Sequence, residues 1–404
     1  LIRLKIMPQT NGLGKDGKGY RLNLHRMKLA FCLFKYFPFG GLQRDFKRIG
    51  EVCLNRGHDI YIYTMAWEGE KPHGFEVSQV QVRGVTNHRK CRNFSIKVNQ
   101  FIREERFDVV VGFNKMEGLD VYYAADPCYK ARILKEKGPL YRISPRYRTY
   151  LTLEQYVFKP SAGTHILLIS EMEKAKYIQY YQTPEERFHS LPPGIARDRV
   201  IHGNIAGIRK SVRSELIIGD DEIMLLMVGS GFKTKGLDRS LSALASLPEG
   251  LRKKTKLFII GRGKPESFEK IARRLNIDRQ IQFLGGRDDV PRFMAGADLL
   301  LHPAYTENTG TVLIEAMAAG LPVIATDICG YAFHIRKADA GMLVPSPFRQ
   351  DIFNNMLERM ITSREKETWK RNGLRYVSEN DVFSMPEKAA DVIEAVAKQK
   401  AGRG

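Results

Sequence analysis

Short apolar runs alternate with amphipathic stretches along most of the chain. Residues 28–34 read as a buried strand, followed by a Gly40-Gly41 turn and a helix to about Asn55. That helix repeats apolar residues at Phe46, Ile49, Val52 and Cys53, the spacing of one helical face. Gly57 ends it, and 59–65 forms the next strand. This strand–turn–helix–strand order opens a βαβ architecture. Residues 75–82 alternate as a more exposed strand, and 92–106 read as helix. Strands follow at 107–113, 119–125 and 164–170, then a helix from Glu171 to about Tyr181. Leu191-Pro192-Pro193-Gly194 closes the first half, and a polar, charged segment runs to about Asp221. The pattern then restarts. Strands read at 223–228, 257–260, 281–284, 298–302, 323–326 and 342–344, with helices near 238–246, 266–275 and 289–295. Another helix follows Asn308. Residues 349–397 look helical, the last helix beginning at Pro386.

Regular alternation in both halves predicts an α/β protein of two facing, doubly wound Rossmann-like domains with a cleft between them. The expected division is 27–195, then 196–378, then 379–404 as a helix returning to the first domain and a tail. Residues 1–26 are polar, basic and glycine-rich. Their Gly12-Leu13-Gly14-Lys15-Asp16-Gly17 matches G-x-G-x-x-G, but no apolar strand leads into it and no helical pattern follows. They read as a disordered extension upstream of a start at Met27.

Length and composition refine this picture. A chain of 404 residues is enough for two domains, each with its own core. No apolar run approaches the roughly 20 residues of a membrane span, so a soluble protein is expected. Residues 29–34 could pass for a signal-peptide core, but Lys35 interrupts it and no cleavage site follows. The five cysteines, at 32, 53, 91, 128 and 329, are odd in number and scattered. That favours reduced thiols in the cytoplasm over disulfides or a zinc site. No spacing suggests any other metal.

The net charge is +20, and it is uneven. Residues 1–28 hold seven Lys/Arg against one Asp, and residues 128–160 hold eight against two Asp/Glu. Such an excess implies an anionic partner. In 128–158, Lys130, Arg132, Lys135, Lys137, Arg142, Arg146 and Arg148 interleave with tyrosines that include Tyr141 and Tyr147. That composition suits an anionic membrane surface or an anionic lipid-linked acceptor. Single-stranded nucleic acid and a plain solvated face are the alternatives.

The densest candidate chemistry lies in 302–323. Between Asn308 and Thr326 the only ionisable side chain is Glu315, and a lone carboxylate in an apolar helix is costly unless something binds it. Glu307 stands eight residues earlier, with Asn308-Thr309-Gly310-Thr311 at the helix start. Free amides at a helix N-terminus attract phosphate, and carboxylates accept hydrogen bonds from hydroxyls. Together they predict a sugar-nucleotide site. The first domain lacks the third glycine and the acidic strand end of an NAD site.

Glu307…Glu315, set in His302-Pro303 and Ala319-Gly320-Leu321-Pro322-Val323, resembles the E-x7-E motif of the retaining family 4 glycosyltransferases with the GT-B fold. Lys35-Tyr36-Phe37-Pro38-Phe39-Gly40-Gly41-Leu42-Gln43-Arg44-Asp45, Gly112-Phe113-Asn114-Lys115-Met116 and Gly118-Leu119-Asp120-Val121-Tyr122 resemble one branch, the bacterial lipopolysaccharide core glucosyltransferases. The likeness runs from about Met27 to Val396. It implies transfer of glucose from UDP-glucose to an inner-core heptose in an α-1,3 linkage, without a metal. The implied location is peripheral, on the inner face of the inner membrane, with no nucleic-acid partner.

The resemblance also implies roles. Glu307 would hold the donor sugar and Glu315 the ribose. Asn308, Thr309, Gly310 and Thr311 would offer amides. Lys235, with Gly229 and Lys233 on the same loop, would meet the diphosphate. Gly40 and Gly41 would let the backbone approach it, and Arg287 would contact the uracil. Asp45 and Asp126 would be carboxylates near the acceptor, and the basic segment a membrane-facing region. Thr234 stands where the family has an arginine, with Lys233 as a partial substitute. Another nucleotide sugar or glycolipid acceptor is the alternative within the fold. An epimerase and an RNA-associated protein are the alternatives outside this chemistry.

Overall fold

A computed structural model describes residues 26–38, 40–201 and 203–402. The Gly12–Gly17 motif and the rest of the expected extension lie outside the described residues, apart from Arg26, whose Nε donates to Asp59 Oδ2 at 2.7 Å. Phe39 also lies outside them.

The first sheet has seven strands: β1 (Lys28–Tyr36), β2 (Asp59–Trp67), β3 (Phe75–Gln79), β4 (Val109–Gly112), β5 (Val121–Tyr123), β6 (His165–Leu168) and β7 (Phe188–Ser190). Their order is β3-β2-β1-β4-β5-β6-β7. The second has six: β8 (Ile223–Val228), β9 (Thr255–Ile260), β10 (Ile281–Gly285), β11 (Leu299–His302), β12 (Val323–Thr326) and β13 (Gly341–Val344), ordered β10-β9-β8-β11-β12-β13. Every pairing is parallel. A parallel sheet is covered by helices on both faces, which is why β4, β5, β11 and β12 are buried at every position.

The helical positions the periodicity marks are largely present, at Gly41–Asn55, Asn87–Glu105, Leu237–Ser246, Glu266–Arg274 and Thr311–Ala318. Helices outside those expected include Tyr129–Glu136, Pro145–Phe158, Ile205–Glu215 and Ala332–Ala338.

The helix Met385–Ala401 comes from the end of the chain but packs on the first domain. Its Met385, Ala389, Ala390, Ile393 and Val396 are buried in one cluster with Phe31, Phe46 and Val111. Glu394 fixes its register. One carboxylate oxygen accepts from Arg56 Nη1 at 3.0 Å and lies 3.1 Å from His58 Nε2. The chain thus crosses between domains twice, and the crossings touch: Ile195 N donates to Val382 O at 3.0 Å. Arg48 on the first helix donates to the carbonyls of Gly194 and Ile195. The two sheets are therefore held with their loops turned toward one cleft.

Candidate functional site

Strand order reverses at the centre of each sheet, between β1 and β4 and between β8 and β11. Connections leave in opposite directions there, opening a crevice at the carboxyl ends of the strands. The loops after β8 and β11 carry most of the predicted residues. Gly236, at φ 78°, lets them cross: a Cβ there would sit 2.0 Å from the Pro303 carbonyl oxygen.

Lys235 from the first loop and Glu307 from the second form an ion pair. His302, the last residue of β11, places Nε2 3.2 Å from the same Glu307 oxygen. Burial alone would push the Glu307 carboxyl up; the His302 hydrogen bond and the Lys235 charge outweigh it and hold it down to about 2. Glu307 is thus an ionised acceptor with two donors already aimed at it. Its loop is pinned from behind, since Tyr331 N donates to Thr309 O at 2.7 Å. Gly310 leads into the helix Thr311–Ala318, and no side chain caps that helix start. Its first residues, Thr311 and Val312, line the crevice.

These groups line a cavity of about 620 Å³ together with Gly40, Gly41, Gly229, Arg287 and Glu315. Burial raises the Glu315 carboxyl from its ordinary range, against the pull of Arg44 and Arg199. Arg287 reaches the wall, but its guanidinium is bidentate on Asp289, at 2.7 and 2.9 Å. Gly41 has open space around it: a Cβ would meet nothing within 4 Å. No contact with a described residue demands glycine there.

Four predicted residues stand off this wall: Lys233, Asn308, Asp45 and Asp126. Lys233 pairs with Asp238 at 2.6 Å and lies over the Tyr305 ring, with 68% of its side chain exposed. Asp238, in the first turn of the next helix, captures it. Asn308 bridges the domains instead, its Nδ2 donating to Ala125 O at 2.5 Å. Asp45 is half-buried and accepts from Tyr123 OH at 2.8 Å. Burial pushes its carboxyl up to about 6; the Tyr123 hydrogen bond opposes this and the Glu315 charge adds to it. The cleft also uses residues that sequence reasoning passed over. Arg199 lies in the linker and Arg262 in the loop after β9, and both line the cavity. His302, which the sequence gives only as part of the motif's setting, also lines the cavity.

The chain is 46% identical to the lipopolysaccharide glucosyltransferase WaaG of Escherichia coli (strain K12) over 368 residues, 91% of this chain and 98% of that protein. The chain belongs to the WaaG family of glycosyltransferases. A crystal structure of WaaG, described as a glycosyltransferase involved in lipopolysaccharide biosynthesis, superposes with a TM-score of 0.86, covering 90% of this chain and 99% of that one. The family models for group 1 glycosyl transferases and glycosyltransferase family 4 match residues 208–375 and 39–199. At 19% identity, the Anabaena HepE structure solved with UDP and glucose shares the fold, with a TM-score of 0.72 over 92% of this chain and 100% of that one. The fold is GT-B.

In this WaaG-family chain the basic segment forms the helices Tyr129–Glu136 and Pro145–Phe158, joined by a turn. Glu154 anchors it. Its buried carboxylate accepts from Lys115 Nζ at 2.5 Å, Tyr181 OH at 2.6 Å, and the amides of Tyr129 and Lys130 at 2.7 and 2.9 Å. It therefore caps the first basic helix from the second. Arg132, Lys135, Lys137, Arg142, Arg146 and Arg148 are exposed, and none forms an ion pair with a described residue. Two expectations are corrected. Tyr147 is buried against Tyr129 and Ile133, and Lys130 turns inward to Tyr180 O at 3.0 Å, so neither faces outward. The exposed apolar groups are instead Leu140 and Ile143, at 82% and 65%. Asp126 lies beyond the end of β5 and opens onto a separate cavity of about 530 Å³ beneath these helices. Among the described residues, no helix is long and apolar enough to cross a membrane, and no group of three His, Cys, Asp or Glu could hold a metal ion.

Proposed function

We propose that this chain transfers glucose from UDP-glucose to an inner-core heptose of lipopolysaccharide, with retention and in an α-1,3 linkage. The observation that carries the reading is the Lys235–Glu307 pair at the β8/β11 switch point, in a chain 46% identical to a lipopolysaccharide glucosyltransferase. Glu307 holds the donor-sugar hydroxyls. Glu315 takes the ribose hydroxyls, with Arg287 near the base. Lys235, Gly229 and the amides of Thr309, Gly310 and Thr311 receive the diphosphate, and the open space at Gly41 admits it from the other domain. An ammonium aimed at the leaving group stabilises the charge that develops there. The bond from the anomeric carbon to the UDP oxygen breaks as the acceptor oxygen bonds to that carbon from the same face. The acceptor proton passes to the departing phosphate oxygen, giving UDP and the glucoside. Lysine and backbone amides supply the positive charge, so the reaction proceeds without a metal.

Asp45 is the carboxylate that accepts the hydrogen bond of the acceptor hydroxyl, and its ionised form is the stronger acceptor. Its carboxyl is raised to about 6, so transfer should fall as pH drops through that value. Labelled UDP-glucose and heptose-terminated truncated lipopolysaccharide give the pH profile. Asp45→Asn should be slow and lose this acid limb; an unchanged limb in that variant contradicts the role.

The exposed, unpaired cations of the basic segment support a peripheral location on the inner face of the inner membrane. Each unpaired cation near an anionic surface contributes about 1 kcal/mol, and Leu140 and Ile143 supply apolar contact. Sedimentation should show binding to anionic vesicles and not to zwitterionic ones, weakened by Leu140→Ser with Ile143→Ser. Equal binding to both vesicle types, or to neither, contradicts this placement.

A further inference from the structure

The cavity beneath the basic helices has the chemistry of a second subsite. Its volume is about 530 Å³, and Tyr129, Tyr141 and Tyr150 form part of its wall. Arg132 stands 5.7 Å over the Tyr129 ring and Arg146 5.9 Å over the Tyr150 ring. Both guanidiniums line the cavity, and neither has a carboxylate partner among the described residues. Lys115, also on the wall, is engaged by Glu154. A ring lies beside each arginine, and a planar guanidinium matches the oxygens of a carboxylate or a phosphate. Two carboxylates, Asp126 and Glu136, share the same wall and accept hydrogen bonds from hydroxyls. Ring faces, hydroxyl acceptors and two unpaired guanidiniums together describe one ligand class, a sugar that carries an anionic group.

The position agrees. Asp126 follows Ala125, whose carbonyl receives the Asn308 amide at 2.5 Å, and Asn308 follows Glu307. A smaller cavity of about 310 Å³ shares Phe34, Cys91, Asn114 and Tyr150 with the first and reaches Lys35, Leu42 and Gln43. Gln43 lies against Gly40 at the edge of the donor cleft. A groove thus leads from the cleft to the underside of the basic helices.

We infer that this groove binds the acceptor through an anionic sugar unit neighbouring the one that receives glucose, with Arg132 and Arg146 as its anion contacts. The inference rests on the acceptor reading above and names the subsite that selects the acceptor. Calorimetric titration of the full chain with de-acylated, heptose-terminated lipopolysaccharide tests it, because this probe is water-soluble and needs no membrane surface. Arg132→Gln and Arg146→Gln should each weaken binding about tenfold, the worth of one charge-assisted contact. UDP affinity, read in parallel, reports an intact cleft. Removing the phosphates of the probe with hydrofluoric acid, or reducing its carboxyl groups, should cost the wild type a similar factor; the arm that does so identifies the anion. Binding unaffected in both arginine variants, equal binding of a probe stripped of both anions, or no binding to the wild type overturns the inference. Binding without transfer from UDP-glucose leaves the subsite standing and overturns the glucosyltransfer reading instead.

Discussion

Lys235→Ala should lower glucosyl transfer about a hundred- to a thousandfold, the usual cost of losing one preorganised group at developing charge. Two consequences follow from the geometry. The leaving diphosphate loses its ammonium. Glu307, 14% exposed at its side chain, loses a partner and keeps only His302 against the burial that opposes its charge. Its carboxyl should then rise, and the sugar hydroxyls meet a weaker acceptor. Glu307→Ala removes the same unit from the other side and strands the ammonium. The two losses should therefore be strongly non-additive, as for groups in one ion pair. Steady-state rates of both single variants and the double variant check this. A double variant as slow as the product of the two single losses would mean that they act independently.

Glu154→Ala should destabilise the first domain by about 3–5 kcal/mol, the cost of breaking a buried ion pair by removing one partner. Lys115, 10% exposed, would be left as a buried cation. The Tyr181 hydroxyl and the amides of Tyr129 and Lys130 would lose their acceptor in the same step. Urea unfolding followed by circular dichroism gives the size, and limited proteolysis should show cleavage within 129–158. Glu154→Gln keeps an oxygen for the amides and should cost less. A loss below about 1 kcal/mol for the alanine variant would show that the lysine is solvated and the anchor unimportant.

Apart from the short edge strand Phe188–Ser190, which is not fully buried at any position, both sheets were legible from apolar runs, because strands of a parallel sheet are buried on both faces and carry few polar interruptions. The helix Ile205–Glu215 was not, and Arg209 and Arg213 explain why. Their guanidiniums face inward, on Asp298 and on the carbonyls of Gly296, Ala297, Gly219 and Glu222. A segment whose charges bind the core reads as a linker. The basic helices failed for the same reason: Glu154 looks like an ordinary surface acid, yet it organises the segment from inside. Glu315 is conspicuous because it is the only ionisable side chain between Asn308 and Thr326, and Glu307 stands out by its spacing from it and its place before the helix start. Lys233 was misplaced because its pairing with Asp238, five residues on, depends on how the loop turns into the next helix. Asp126 follows a strand that the apolar run predicts to reach Ala125. The strand stops at Tyr123, and the next three residues turn it toward the second cavity.

The most direct test is to incubate the wild-type chain, in EDTA, with labelled UDP-glucose and heptose-terminated truncated lipopolysaccharide, beside a panel of other nucleotide sugars. The account predicts one α-linked glucose added per acceptor, fastest from UDP-glucose and abolished by Glu307→Ala. No transfer, faster transfer from another donor, or undiminished transfer by Glu307→Ala would contradict it.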